Sequence, residues 1–547
     1  MPPRLLLFFL LTLTFKRSSA QHVSSLTFTR ADTLRGALTP LRSCYDVTFY
    51  DLSVQVFPDS QFIRGTVVIH FIATENFRKM QIDLFDNMQI HRIRWMNDTA
   101  SWERMDNAVF VHLPQEALQG QIYTLQITYS GKPLIARLPP WDGGFIWTTD
   151  NKGNPWIAVA CEGIGASLWW PNKDHLSDEP DSARITIAVP DTLVAVSNGR
   201  LQQLSYKEGW AYYTWKVSYP INNYNITLNV GKYVDFTDTF VHNGEVLDLH
   251  YYIMSYNKEK AREHFAQVKP MLRCFTRYLG PYPFVRDGFK LVETPYLGME
   301  HQSCIAYGNN YQTGYAGKDY SGIGLDFDYI IIHESGHEWW GNAVSCSDLA
   351  DLWIHEGFCT YSEALYVECL HGYATALAYL NHKKKYVRNE SPIIGVYQLN
   401  REGSLDMYNK GALILHTLRS VIGNDSIWFS LLHALVDAFS YKTCSSAEIE
   451  DFISTYTGIP LDAFFDQYLR HASLPVFTYQ LKKKTLRYRW STEVSSFNMP
   501  VMVTVAPDSM ARIYPTTQWQ EMPLKLQKKH AFKIADDLFY IGVQRVP

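Results

Sequence analysis

Two histidines spaced four residues apart carry the clearest chemical signal in this sequence of 547 residues. They lie in the stretch "HESGHEWWGN" as His333 and His337, and Glu334 directly follows the first of them. Residues at i and i+4 share one face of a helix, so both imidazoles can bind one zinc ion at about 2.0–2.1 Å. Glu334 would lie beside that metal without being a ligand, where it can accept a proton from a metal-bound water.

A catalytic zinc site needs a third ligand, and the stretch "WIHEGF" supplies Glu356, nineteen residues after His337. A helix, a turn and a second helix fit in that interval, so Glu356 can face the histidine pair. Two His, one Glu and one water form an open tetrahedral site, whereas a structural site is closed by a fourth protein ligand. The alternative, a solvated surface Glu, fits poorly beside Trp353 and Phe358.

These stretches together resemble family M1 of zinc peptidases, the group that includes aminopeptidase N and leukotriene A4 hydrolase. The stretch "GMEHQ" at 298–302 resembles the Gly-x-Met-Glu-Asn exopeptidase signature of that family. The stretch "YNKGALIL" resembles its tyrosine-bearing helix, and "FFDQYLRHASLPVF" resembles its junction into a following β domain. The resemblance covers roughly residues 41 to 547 and implies an aminopeptidase with one zinc ion per chain.

The resemblance also implies roles for residues that spacing alone does not assign. Tyr408 would donate a hydrogen bond to the oxyanion of the transition state. The carboxylates of Glu300 and Glu162 would bind the free ammonium group of a peptide substrate. Gly298 and Met299 would line the substrate site, with Met299 in the pocket for the first side chain.

Three further residues near these motifs have open assignments. His301 and His355 stand where the family usually has Asn, and a hydrogen-bonded structural role is predicted for both rather than metal ligation. Glu363 lies two helical turns after Glu356 on the same face. It would either orient a ligand histidine or form a surface salt bridge.

The elements that must hold these residues read as β, then α, then β. Alternating strands begin at Tyr45, helical periodicity begins near residue 256, and strand patterns return after Ser473. We therefore predict an α+β multidomain fold with a saddle-like antiparallel β domain (41–255), a thermolysin-like α-rich zinc domain (256–472) and a small C-terminal β-sandwich (473–547). The resemblance supplies the saddle, thermolysin-like and sandwich shapes, and no C-terminal helical solenoid is expected.

The N-terminus predicts export. Residues 1–20 read as a signal peptide with an apolar run from Leu5 to Phe15 and cleavage near Ala20, and an uncleaved anchor is the alternative. Residues 21–40 are rich in Ser and Thr, lack periodicity and indicate a leader. No later membrane span is predicted, and the protein would be periplasmic or extracellular. Eight scattered cysteines do not imply a disulfide scaffold, although one or two bridges are compatible with export.

The net charge of the chain bears on the class of binding partner. The net charge of −4 gives no electrostatic case for binding nucleic acid. The family resemblance implies peptides with a free N-terminus as partners, and no oligomeric state is assigned. The rival functions are another zinc hydrolase on the same scaffold, such as an endopeptidase or epoxide hydrolase, and a non-enzymatic peptide-binding surface protein. Glu334 argues against the last, because a binding protein needs no general base.

Overall fold

The computed structural model describes residues 28–482, 484–507, 509–526 and 532–547. The predicted signal peptide lies outside these residues. The predicted leader is partly helical, with α1 (Arg30–Gly36) and α2 (Pro40–Ser43). A capping box starts α1, because the Thr29 side chain accepts a hydrogen bond from the Asp32 N–H and the Asp32 carboxylate accepts one from the Thr29 N–H. This local signal produces a helix where the lack of periodicity indicated an irregular leader.

The N-terminal part is a β domain, as predicted. Its long first strands alternate buried and exposed residues around a turn at Pro58–Ser60, which gives an antiparallel pair with Phe57 opposite Phe62. The strands are β1 (Tyr45–Phe57), β2 (Phe62–Ala73), β3 (Phe77–Asp83), β4 (Met88–Trp95), β5 (Asp98–Thr99), β6 (Ser101–Met105), β7 (Ala108–Ala117), β8 (Ile122–Gly131), β9 (Gly144–Thr149), β10 (Pro155–Ala160), β11 (Ser182–Pro190), β12 (Val194–Val196), β13 (Arg200–Lys207), β14 (Trp210–Val217) and β15 (Asn229–Gly231).

Three sheets organise these strands. The largest has the order β13-β14-β11-β1-β2-β8-β4-β5 and is antiparallel except between β1 and β11. A second sheet has the order β12-β15-β10-β9, and β3, β7 and β6 form a third. The second sheet matters for the site, because Glu162 follows β10.

The central part is rich in helices around a mixed sheet of order β16-β17-β18-β20-β19. Its strands are β16 (Tyr233–His242), β17 (Glu245–Met254), β18 (Phe289–Glu293), β19 (Gly298–Met299), β20 (Ile305–Tyr307), β21 (Val344–Cys346) and β22 (Lys442–Cys444). Its helices are α3 (Lys258–His264), α4 (Val268–Leu279), α5 (Tyr329–Gly336), α6 (Trp353–His371), α7 (Tyr373–Lys383), α8 (Asn409–Ile422), α9 (Asp425–Phe439), α10 (Ser446–Thr457) and α11 (Asp462–Arg470).

Strand pairing links β16 and β17 to the central part. Both strands precede the predicted boundary at residue 255, yet β17 pairs in parallel with β18. Most of the buried hydrophobic side chains of β16 and β17 belong to the core of the helical part. The predicted boundary therefore cuts through one sheet. The sequence pattern could not reveal this, because it reports the strand type and not the partner.

The described residues after α11 form the C-terminal β region. Strands β23 (Val476–Lys482), β24 (Thr485–Ser491), β27 (Gln520–Pro523) and β28 (Gly542–Arg545) make one sheet, and β25 (Val501–Ala506) pairs with β26 (Ser509–Ile513). The succession of a β domain, a helical domain and a β region is the predicted one. No helix among the described residues is long and apolar enough to cross a membrane.

A disulfide joins Cys274 on α4 to Cys369 near the end of α6. The two cysteines lie 95 residues apart in the chain, so no spacing rule could have paired them. The bridge fixes one end of the helix that carries Glu356 and Glu363.

Candidate active site

The two histidines lie at the end of α5. Asp328 caps its start by accepting hydrogen bonds from the N–H groups of Ile330 and Ile331. The helix ends at Gly336 and the chain turns into β21, so His337 occupies the helix terminus. The i to i+4 geometry survives there, and the Nε2 atoms of His333 and His337 lie 3.3 Å apart.

Glu356 completes a triangle with these two nitrogens. It lies in the first turn of α6, and its Oε2 is 3.5 Å from the Nε2 of each histidine. That oxygen is buried and has no hydrogen-bond partner among the described residues. A tetrahedral zinc with ligands at about 2.0–2.1 Å separates its ligand atoms by roughly 3.3–3.4 Å. The triangle therefore fits a zinc ion in both donor type and spacing.

The other ring nitrogens of the histidines fix the direction of the lone pairs. His333 Nδ1 lies 2.7 Å from Glu363 Oε1, and His337 Nδ1 lies 2.9 Å from the Trp340 carbonyl oxygen. Both partners are acceptors, so each Nδ1 carries the proton and each Nε2 presents its lone pair to the site.

Glu363 is fully buried rather than on the surface, and its carboxylate has several partners. Besides His333, it accepts hydrogen bonds from Tyr329 (2.7 Å) and Tyr379, and it pairs with Lys383 Nζ at 2.9 Å. Burial opposes ionisation, but the Lys383 charge and the His333 hydrogen bond lower the pKa of Glu363 to about 2. Glu363 therefore orients the His333 imidazole, and its salt bridge with Lys383 lies in the interior.

The proposed base, Glu334, faces the cleft from the same helix as the histidines. A Cβ atom added to Gly298 would lie 2.7 Å from Glu334 Oε1, so the glycine leaves the space that this carboxylate occupies. Burial raises the pKa of Glu334 above its usual value. One carboxylate oxygen each from Glu334 and Glu300 lies within 4.8 Å of a His337 ring nitrogen, which brings base and substrate anchor together.

Glu300 and Glu162 approach this place from two parts of the fold. Glu300 directly follows β19, and its Oε1 accepts a 3.0 Å hydrogen bond from the Tyr224 hydroxyl. Glu162 Oε1 is buried and has no partner among the described residues. Burial, followed by the charge of Glu300, raises the pKa of Glu162. Because the negative charge of Glu300 acts on Glu162, a cation bound near both carboxylates would be favoured.

Tyr408 borders the same cleft and lies immediately before α8. Its ring centroid is 6.2 Å from that of His333. Burial raises its pKa, which keeps the phenol protonated as a hydrogen-bond donor. A Cβ atom on Gly411 would lie 2.7 Å from Gly357 Cα, so α8 and α6 pack backbone to backbone at this level. That close packing sets Tyr408 relative to Glu356.

All nine predicted site residues border one cleft of about 820 Å³. The cleft is also lined by residues that have no role predicted from the sequence, including Trp141, Tyr315, Arg401, Glu402 and Leu405. No motif marks them, because they come from loops of both the β domain and the helical part. Tyr329, Tyr379 and Lys383, which hold Glu363, were also not predicted from the sequence.

The two histidines that replace the usual Asn are both buried and differ in their partners. His355 Nε2 accepts a 2.8 Å hydrogen bond from the Cys346 N–H, which is the structural role predicted for it. Neither nitrogen of His301 has a hydrogen-bond partner among the described residues, so the predicted hydrogen-bonded role is not seen there. Burial lowers the pKa of both imidazoles to about 3.

Comparisons with known proteins agree with this geometry. Residues 47–224 match the peptidase M1 N-terminal domain, and residues 264–468 match the peptidase family M1 domain. Aminopeptidase M1 of Arabidopsis thaliana is 22% identical over 58% of this chain and 38% of its own length. Aminopeptidase B of Rattus norvegicus is 22% identical over 65% of this chain and 54% of its own. Leukotriene A-4 hydrolase of Xenopus laevis is 25% identical over 56% and 51%.

The chain thus spans about half or less of these curated relatives. Among solved structures, an M1 zinc metallopeptidase from Deinococcus radiodurans matches with a TM-score of 0.66 and 21% identity. The match covers 79% of this chain and 94% of that one, and at this identity it establishes the fold. Together, the two family matches cover most of the chain and include all nine predicted site residues. The chain belongs to peptidase family M1.

Proposed function

We propose that this protein is a zinc-dependent aminopeptidase that removes the N-terminal residue of peptides. The observation that carries the proposal is the set of ionisable side chains in one cleft. A triangle of two imidazoles and one carboxylate, with edges of 3.3–3.5 Å, shares the cleft with two further carboxylates, those of Glu300 and Glu162. The triangle suits a metal, and the extra carboxylates suit a substrate ammonium group.

His333, His337 and Glu356 would hold the zinc ion. When bound, zinc supplies Lewis acidity, which acidifies a water molecule and polarises the carbonyl of the scissile bond. Glu334 then takes the proton of the attacking water and returns it to the leaving amine. Burial supports this role, because it raises the pKa of Glu334 and so makes the carboxylate a stronger base.

Glu300 and Glu162 would bind the α-ammonium group through charge-assisted hydrogen bonds. Glu300 is held by Tyr224, whereas Glu162 has an oxygen without a protein partner. This difference suits one fixed anchor and one acceptor that is satisfied by substrate. Anchoring the amine places the first peptide carbonyl over the metal position.

Tyr408 would donate its hydroxyl hydrogen to the oxyanion as the tetrahedral centre forms. Its ring centroid lies 6.2 Å from that of His333, and Tyr408 borders the same cleft as the anchor carboxylates.

The decisive experiment compares an unblocked aminoacyl amide with the same compound acetylated on nitrogen. Acetylation removes the positive charge and leaves the two carboxylates facing an amide. We expect cleavage of the free compound only. Equal cleavage of both would overturn the exopeptidase assignment in favour of another zinc hydrolase, and cleavage of neither, by zinc-loaded protein across a panel of first residues, would favour a binding protein.

We also propose that the protein is exported after cleavage near Ala20. The Cys274–Cys369 disulfide supports this, because disulfides persist in oxidising compartments. N-terminal sequencing of protein recovered outside the cytosol should find a chain that starts near Gln21. Recovery of the full-length chain from the cytosol would contradict the proposal.

A further inference from the structure

The segment before β1 is packed against the active-site wall. Its helix α1 contacts the loop at 399–400, where a Cβ atom on Gly36 would lie only 2.0 Å from the carbonyl carbon of Leu399. The Asn400 N–H donates a 3.1 Å hydrogen bond to the Asp32 carbonyl oxygen. Asn400 itself borders the cleft. The segment before β1 therefore contacts Asn400, a residue that lines the cleft.

A buried ion pair anchors this segment to the β domain. Arg42 Nη2 lies 2.6 Å from Asp83 Oδ2, and both side chains are fully buried. The same guanidinium donates to the carbonyl oxygens of Arg35 and Ala37 at the end of α1. Because an unpaired charge at this depth is costly, the pair holds α1 in one position.

From that position, Arg35 binds the loop that carries Glu162. Its guanidinium donates to the Ile164 carbonyl oxygen and lies 3.7 Å from Asp174 Oδ2. Gly165 passes between these groups with a φ of +91°, and a Cβ atom there would lie 2.6 Å from Arg35 Nη2. Arg35 and Asp174 therefore leave room only for a bare backbone at Gly165.

The loop at 162–165 separates two cavities. Glu162 and Gly163 border the catalytic cleft on one side and a cavity of about 40 Å³ on the other, and Arg35 and Gly36 line that cavity. Since Glu162 Oε1 has no partner among the described residues, its place depends on the backbone that carries it. Arg35 holds that backbone two residues further on, at Ile164.

We propose that Arg35 is a positioning residue for substrate binding, acting through Glu162. The inference rests on the proposed aminopeptidase function. Arg35 touches no substrate atom, and its effect is to keep the Glu162 carboxylate facing Glu300 across the ammonium site. Without its guanidinium, the loop can move into the cavity behind it, and the amine loses one of its two anchors.

The test is a double-mutant cycle between Arg35→Ala and Glu162→Ala, using the free aminoacyl amide. Arg35→Ala should raise KM on the order of tenfold and lower kcat less, and it should change neither zinc content nor the thermal midpoint by much. In the Glu162→Ala background it should have almost no further effect, because the two residues act on one contact. Arg35→Lys keeps the charge and one donor, so it should raise KM less, and it serves if the alanine variant does not fold.

Arg30→Ala is the matched control, because Arg30 lies on the same helix and its side chain is exposed. It should match the wild type. An unchanged KM in Arg35→Ala, or independent effects of Arg35→Ala and Glu162→Ala, would overturn the inference while leaving the aminopeptidase assignment intact. Failure of the wild type to cleave the free amide would overturn the proposed function itself.

Discussion

Replacing Glu363 by Gln should separate two roles that one buried carboxylate performs. In the wild type, the carboxylate accepts hydrogen bonds from His333, Tyr329 and Tyr379 and pairs with Lys383. The amide of Gln can still accept from His333, but it brings no charge and turns two N–H donors toward partners that also donate. Zinc affinity and folding stability should both fall, for different reasons.

The losses of zinc affinity and of folding stability have different expected sizes. Losing the carboxylate behind a metal-bound histidine weakens metal binding about 10–100-fold, or roughly 1.4–2.7 kcal/mol. Removing one partner of a buried ion pair costs about 3–5 kcal/mol. We expect the lower end of that range here, because the Lys383 side chain retains 10% exposure and can draw on water.

A second substitution tells these effects apart. Adding Lys383→Met to Glu363→Gln removes the unpaired ammonium, so stability should recover while zinc affinity stays low. Zinc dissociation constants come from competition with a chromophoric chelator, and stability comes from thermal unfolding of the zinc-free proteins. Zinc affinity within about threefold of the wild type in Glu363→Gln would refute the orienting role. So would a double variant in which affinity recovers together with stability.

Three further predictions address separate parts of the molecule. Tyr408→Phe should lower kcat about 10²–10³-fold with little change in KM, because the hydroxyl acts on the oxyanion; near-normal kcat in steady-state assays would exclude that role. Cys274→Ser with Cys369→Ser, which opens a link across 95 residues, should cost roughly 4 kcal/mol and lower the thermal midpoint while zinc content is kept; an unchanged midpoint would show that the bridge is not formed. Burial lowers the pKa of His416 from 6.5 to about 4, so the unfolded chain takes up a proton at a higher pH than the folded protein. The zinc-free protein should therefore lose stability as the pH falls from 6.5 to about 4, and His416→Gln should reduce this pH dependence of stability. An unaltered pH dependence in the variant would show that His416 is not its source.

Sequence reasoning could identify the metal site because its information is local. The spacing of His333 and His337 fixes a shared helix face, and Glu356 stands in a short motif at a fixed distance from them. The order of β, α and β parts was likewise readable, because each type of element has its own periodicity. The two anchor carboxylates and Tyr408 came from family resemblance and not from spacing.

What the sequence could not give depends on contacts between distant residues. Helical periodicity put Glu363 on the face of Glu356, but it could not show that this face is buried or that Lys383, 20 positions later, pairs with the carboxylate. The Cys274–Cys369 bridge, the pairing of β17 with β18 and the grip of Arg35 on Ile164 likewise join separate stretches of chain. Hydrophobic periodicity shows which face of its own helix or strand a residue occupies, but not which other element packs against that face.

Zinc analysis of the wild type beside Glu334→Gln and Glu356→Ala distinguishes the metal ligands from the base. His333, His337 and Glu356 would bind zinc and Glu334 would not, although it lies within one turn of both histidines. We expect about one zinc per chain in the wild type and in an inactive Glu334→Gln, and a large loss of zinc from Glu356→Ala. A Glu334→Gln protein that loses its zinc, or a zinc-free wild type with full activity, would contradict this assignment.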